Sequence, residues 1–90
     1  NLGRVQLVAV GPLGRALAAA LPEGQLERPL PAPLIDVLQT AAALDAGLAA
    51  RLLRGQRILP EVLRSGRRLG ASDRVCDGDR LDLVLAIAGG

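Results

Sequence analysis

The stretch Arg80 to Ile87, RLDLVLAI, constrains this chain more than any other. Leu81, Leu83, Leu85 and Ile87 alternate with Asp82, Val84 and Ala86. Strict alternation puts one set on each face of a strand, so the leucine side must lie on an apolar layer supplied by the rest of the chain. Asp77-Gly78-Asp79, just before it, has the composition of a tight turn. Just after it, the sequence reaches Gly89-Gly90. Glycine has no Cβ and can lie extended in a channel too narrow for other residues, which predicts a threadable tail over residues 87–90. A frayed end is the alternative reading of such a pair.

The layer that covers the strand has to be aliphatic. Half of the 90 residues are apolar, and none is Phe, Tyr, Trp or Met, so the core is expected to be Leu, Val, Ile and Ala in a single domain spanning 1–90. No apolar run is long enough to cross a bilayer, and no secretory signal is read; Asn1 is not an initiator Met, so the start is expected to be processed or trimmed. Cys76 is the one cysteine and there is no His, which leaves neither an internal disulfide nor a Cys-His pair nor a metal set. A small buried core residue is the expectation for Cys76, with a reactive thiol as the alternative and a reducing cytoplasm as the compartment. All eleven basic residues are Arg, so no side chain can serve as an amine nucleophile or Schiff-base former. Arg51, Arg54, Arg57, Arg64, Arg67 and Arg68 cluster mid-chain. Without aromatic stackers or a recognition-helix pattern, a solvated, partner-facing basic surface is favoured over nucleic-acid binding.

Arg4 to Val10, RVQLVAV, reads as a first strand with Val5, Leu7 and Ala9 on one face and Gln6, Val8 and Val10 on the other. Leu13 to Leu21 is Ala-rich, but Gly14 interrupts it and Pro22 stops it, which predicts a loop or a single turn. Gln25 to Leu30 is a second strand candidate that Pro29 and Pro31 confine to a sheet edge. Pro33 opens the main helix, with Leu34, Leu38, Ala41 and Ala42 at helical spacing and Asp36 near its positive end. Asp45 can cap a short helix in which Leu48 and Leu52 share a face and which Gly55 ends. Glu61 to Arg64 and Arg67 to Leu69 flank Ser65-Gly66 as a hairpin. The pattern is an α+β roll: a mixed sheet with one main helix packed on one face.

At this point the residues resemble a family. DGDRLDLVLAIAGG, Asp77 to Gly90, is similar to the end of the ubiquitin-like sulfur carriers, the small subunit of molybdopterin synthase and the thiamine-pathway carrier (MoaD/ThiS-like). VQLVAVGPL (Val5 to Leu13) is similar to their first strand and loop, and LRSGRRL (Leu63 to Leu69) sits where their third and fourth strands meet. The aromatic residues common in the family are absent here, the hairpin turn is Ser65-Gly66 rather than Asn-Gly, and Ala32-Pro33 stands in place of a Ser or Thr helix cap. The resemblance implies a β-grasp fold whose first and last strands form a central parallel pair.

It also implies a role for the tail. A ubiquitin-activating-type adenylating enzyme would consume ATP to adenylate the Gly90 carboxylate, and the acyl group would pass to sulfur for a sulfur-accepting synthase. Alternatively a conjugating enzyme would carry it to protein targets, as in bacterial ubiquitin-like modification; an interaction domain that is never conjugated is a third reading. The chain itself is expected to be a cosubstrate and to bind no cofactor: Gly11-Pro12-Leu13-Gly14 lacks the Lys and the Ser or Thr of a phosphate-binding loop. With Gly89 and Gly90 threaded, Val8, Val10, Val84 and Ala86 would form a partner-binding patch on the open face of the sheet, unless Leu13 to Leu21 covers them.

Overall fold

The computed structural model describes residues 1–85. In chain order the elements are β1 (Leu2–Val8), α1 (Gly11–Ala20), a 3-10 turn (Pro22–Gly24), β2 (Gln25–Pro29), β3 (Ala32–Pro33), α2 (Leu34–Ala42), α3 (Ala46–Leu52), β4 (Leu53–Arg54), β5 (Arg57–Ile58), β6 (Glu61–Arg64), β7 (Arg67–Arg68), β8 (Arg74–Val75) and β9 (Arg80–Val84). Five strands make the main sheet in the order β2-β1-β9-β6-β7. β1 and β9 run parallel at its centre, with Leu7 opposite Leu81, and the other neighbours are antiparallel. β2 is an edge, as Pro29 requires.

The turn before β9 fixes this arrangement. Arg4 N donates to Asp77 Oδ1 at 2.8 Å, Gly78 N to the Arg4 carbonyl at 2.8 Å, and Gln6 N to the Asp79 carbonyl at 2.9 Å. These bonds tie the turn to β1 and set the parallel register that follows. Gly3 makes the approach possible: a Cβ there would stand 2.8 Å from Leu30 Cδ1 and 3.0 Å from Asp77 Cβ. The Asp79 carboxylate holds the turn's other side, with Oδ2 accepting from Cys76 N and from Arg64 Nη1, both at 2.9 Å.

Three helices cover the inner face, the expected main and short helices and one more. α2 buries Leu34, Val37, Leu38 and Ala41, the i, i+3, i+4, i+7 stripe of a surface helix, and Pro33 is its N-cap. α3 begins as expected, with Asp45 Oδ2 accepting from Leu48 N at 2.9 Å, and buries Leu48 and Leu52. It ends at Leu53 rather than at Gly55, which instead lies between β4 and β5 in a small hairpin.

The third helix, α1, occupies the segment for which the sequence predicts a loop. Pro12 suits its first turn, and the Val10 carbonyl accepts from Gly14 N at 3.3 Å. Gly14 does not break the helix. A Cβ at that position would meet the Ala9 carbonyl oxygen at 2.5 Å, so glycine is what lets the helix fold back onto the end of β1. Its intrinsic helix cost is about 1 kcal/mol, and fully burying a leucine such as Leu17 contributes about 1.5–3 kcal/mol, so packing wins. The same geometry ends β1 at Val8, two residues before the expected end.

Val5, Leu7, Leu26, Val62, Leu81 and Leu83 point from the sheet into one aliphatic cluster with Leu17, Leu21, Val75 and the helix residues. Two expectations fail here. Leu85 is 80 % exposed, because β1 pairs only as far as Asp82 and β6 only as far as Val84, so the last leucine of the alternation outruns the layer that would cover it. Cys76 is exposed rather than buried: Val75 takes the inward position of β8, and the next residue faces out toward the turn.

Leu83→Ala should therefore destabilise the fold by about 2–5 kcal/mol in denaturant titration, since a cavity adds to lost burial. Leu85→Ala should change it by less than about 0.5 kcal/mol, as at other exposed positions.

Candidate functional site

The helices lie on one side of the sheet only, so the other side faces water. Register places the outward residues. Val8, Asp82, Leu63 and Arg68 form a row across four strands, and Val84 and Glu61 form the next. Val8 and Leu63 are half-buried and Val84 is exposed, so an apolar trio surrounds Asp82. Around them stand ion pairs: Arg4–Glu27 at 3.8 Å, Arg80–Asp82 at 3.5 Å, and Arg68–Glu61. Exposed pairs of this kind contribute about 0–1 kcal/mol each, so they shape the face more than they stabilise it.

Of the four residues expected to make one patch, the three that are described do not lie together. Val8 and Val84 share the open face, diagonal to one another across the β1–β9 pair. α1 does not cover them; it packs on the core side through Leu17. Val10 has left the strand, caps α1 and is 88 % exposed at a groove on the helix side. Ala86 lies outside the described residues, as do Gly89 and Gly90. Leu63 is an addition to the patch. Its signal was present in the sequence, because a strand with Val62 inward must turn Leu63 outward.

Two concavities flank β9. At its start, the β6–β7 hairpin tip and the Gly78–Arg80 stretch enclose about 840 Å³ lined by Arg64, Arg67, Arg80, Asp73, Asp79 and Asp82 among others. Its charges largely satisfy one another: Arg64 Nη1 donates to Asp79 Oδ2 at 2.9 Å and to the Arg74 carbonyl at 2.8 Å. Arg64 therefore departs from the expected solvated arginine surface, to which Arg51, Arg54, Arg57, Arg67 and Arg68 do belong. At the other end of β9, beside Leu85, the apolar groove that includes Val10 encloses about 500 Å³.

The chemistry available to the described residues is limited. No three His, Cys, Asp or Glu side chains among them converge where a metal ion could be held. No helix is long and apolar enough to cross a membrane. What the architecture provides is a central strand, hydrogen-bonded on both sides, whose described end at Leu85 stands between an open apolar face and an apolar groove.

Solved structures share this architecture. Subunit 1 of a putative molybdopterin converting factor from Pyrococcus furiosus matches with a TM-score of 0.67 at 16 % identity, covering 94 % of this chain and 99 % of that one. A chain of the Amycolatopsis orientalis BexX/CysO complex matches at 0.64 and 22 % identity, covering 97 % and 98 %. SAMP1 from Haloferax volcanii, a small archaeal modifier protein, matches at 0.63 and 20 % identity over the full length of both chains. No protein-family model and no curated protein matches the chain. Agreement of this extent over the whole length shows the fold: the chain is a ubiquitin-like β-grasp protein in architecture, as the motifs at its two ends imply.

Proposed function

We propose that this protein is a ubiquitin-like carrier, a cosubstrate rather than an enzyme, whose activated group is the carboxylate that Gly90 bears when the chain ends there. The observation that carries the reading is the course of β9. It is the sheet's central strand, paired to β1 and β6, and it leads directly into the Ala-Ile-Ala-Gly-Gly stretch of residues 86–90. Two glycines next to a firmly held domain suit insertion into a narrow active site while the domain is gripped from outside. The likeness to a molybdopterin converting factor subunit and to an archaeal modifier supports the same reading.

A carboxylate is a poor acyl donor because oxide is a poor leaving group. In the proposed reaction a carboxylate oxygen of Gly90 attacks the α-phosphorus of ATP and pyrophosphate departs, leaving an acyl-adenylate. A sulfur nucleophile then attacks the acyl carbon and AMP departs. If the nucleophile is hydrosulfide, the product is a thiocarboxylate, a sulfur donor for a cofactor-building synthase, with the proton released to solvent. If the sulfur belongs to an enzyme cysteine, the product is a thioester that a protein amine or hydroxyl can take over. We favour the thiocarboxylate because the closing motif, Asp77 to Gly90, resembles sulfur carriers over its whole length. The modifier reading has SAMP1 in its favour. No Lys occurs in these 90 residues, so as a modifier this stretch would offer no lysine for chain extension.

The nucleotide site belongs to a separate adenylating enzyme, which has to hold the domain while the tail reacts. The open face with Val8, Leu63 and Val84 is the surface we assign to that contact. Its apolar centre within a charged rim matches the anatomy of a specific interface.

Deleting Gly90 should leave the melting curve unchanged and abolish ATP–pyrophosphate exchange by the adenylating enzyme of the same genome; normal exchange with the deletion variant would refute the activation step. Val84→Asp should cost little stability, since Val84 is 44 % exposed. It should weaken binding to that enzyme by about tenfold or more in a calorimetric titration, because a desolvated interface does not tolerate an unpaired charge. Unchanged affinity would remove the open face from the contact.

A further inference from the structure

The two most exposed of the large apolar side chains among the described residues are Val10, at 88 %, and Leu85, at 80 %. They belong to different elements, yet both line the same groove on the helix side of the sheet. Pro12, Leu13, Leu59 and Pro60 complete its apolar wall. Exposed apolar side chains scattered singly need no explanation, but two that converge on one concavity mark a place meant to be covered. The open face is on the opposite side of β9, so this groove is a separate surface.

Its charge identifies what would cover it. Among the described residues, Arg51 is the one charged side chain lining the groove, and none of them brings a carboxylate to it. The ion pairs among the described residues engage Arg4, Arg64, Arg68 and Arg80, which leaves Arg51 without a carboxylate at the rim. An apolar floor beside a guanidinium that no described carboxylate engages fits a segment that presents a large aliphatic or aromatic side chain next to an Asp or Glu.

Position identifies the partner. Gly90 is five residues beyond Leu85, a contour of at most about 17 Å, so a protein that acts on Gly90 reaches the vicinity of the groove. A contact there would make tail capture effectively intramolecular. We propose that the groove bounded by Val10, Leu13, Leu59 and Leu85 docks an acidic, apolar segment of the adenylating enzyme, with Arg51 pairing to its carboxylate. The inference rests on the carrier reading and adds a second point of attachment to it.

The test is ATP–pyrophosphate exchange by the adenylating enzyme of the same genome, measured against the concentration of the full 90-residue chain and of its Val10→Asp, Arg51→Glu and Arg51→Lys variants. Both positions tested are exposed, and circular dichroism melting checks that each variant folds; if Val10→Asp does not, Arg51→Glu carries the test alone. The expected result is a KM for the carrier raised about tenfold by Val10→Asp and by Arg51→Glu, with kcat within about twofold, and a near-normal KM for Arg51→Lys. Wild-type exchange with an unchanged KM in the folded variants would overturn the groove assignment and leave the carrier reading standing. Absence of exchange with the wild-type chain would overturn both.

Discussion

Three backbone-anchored hydrogen bonds between the Asp77–Asp79 turn and β1 hold the start of β9 in place, and the remaining architecture depends on them. Strands that run parallel cannot be joined by a hairpin, so their register has to be set by something other than a short loop. Here the turn itself does so, lying against Arg4 and Gln6 while Gly3 leaves room for it. Each such bond adds only roughly 1 kcal/mol net, and the burial of Leu81 and Leu83 supplies more. The bonds nonetheless decide which way every side chain of β9 faces, because a slip of one residue would exchange its two faces.

That geometry has a functional consequence. β9 lies at the sheet's centre, paired on both sides, and Leu85, the last described residue, follows it between an open face bearing Val8, Leu63 and Val84 and a groove that includes Val10. In the proposed carrier role such a domain would be recognised by its body while its end does the chemistry, so changes on the surface should act on affinity and changes at Gly90 on turnover.

Much of this was legible in the sequence because the signals were periodic. The alternation of Leu81 and Leu83, the stripe from Leu34 to Ala41, the Asp45 cap and the Ser65-Gly66 turn, both residues of which have positive φ, all stand where the pattern puts them. The failures share a cause, which is that local pattern carries no information about neighbours. Gly14 reads as a helix breaker until the Ala9 carbonyl is seen against it. Leu85 continues an apolar alternation past the point where partner strands and helices stop. Val10 fits the strand's outward set but has been taken over as the cap of α1. Cys76 is expected inside on residue type, but Val75 takes the inward position and leaves its neighbour exposed. The groove was the least legible feature, since the start of α1, the end of α3, Leu59-Pro60 and the end of β9 form it together, four segments distant in sequence.

In the proposed function the decisive event is the activation of the Gly90 carboxylate and its receipt of sulfur. Intact mass spectrometry of the protein recovered from its own host tests it most directly. Replacement of one carboxylate oxygen by sulfur adds about 16 Da to the free chain, which is the species the account predicts. Gly90 joined through an amide or ester to another protein, with no sulfur-bearing free form, would contradict it in favour of protein modification.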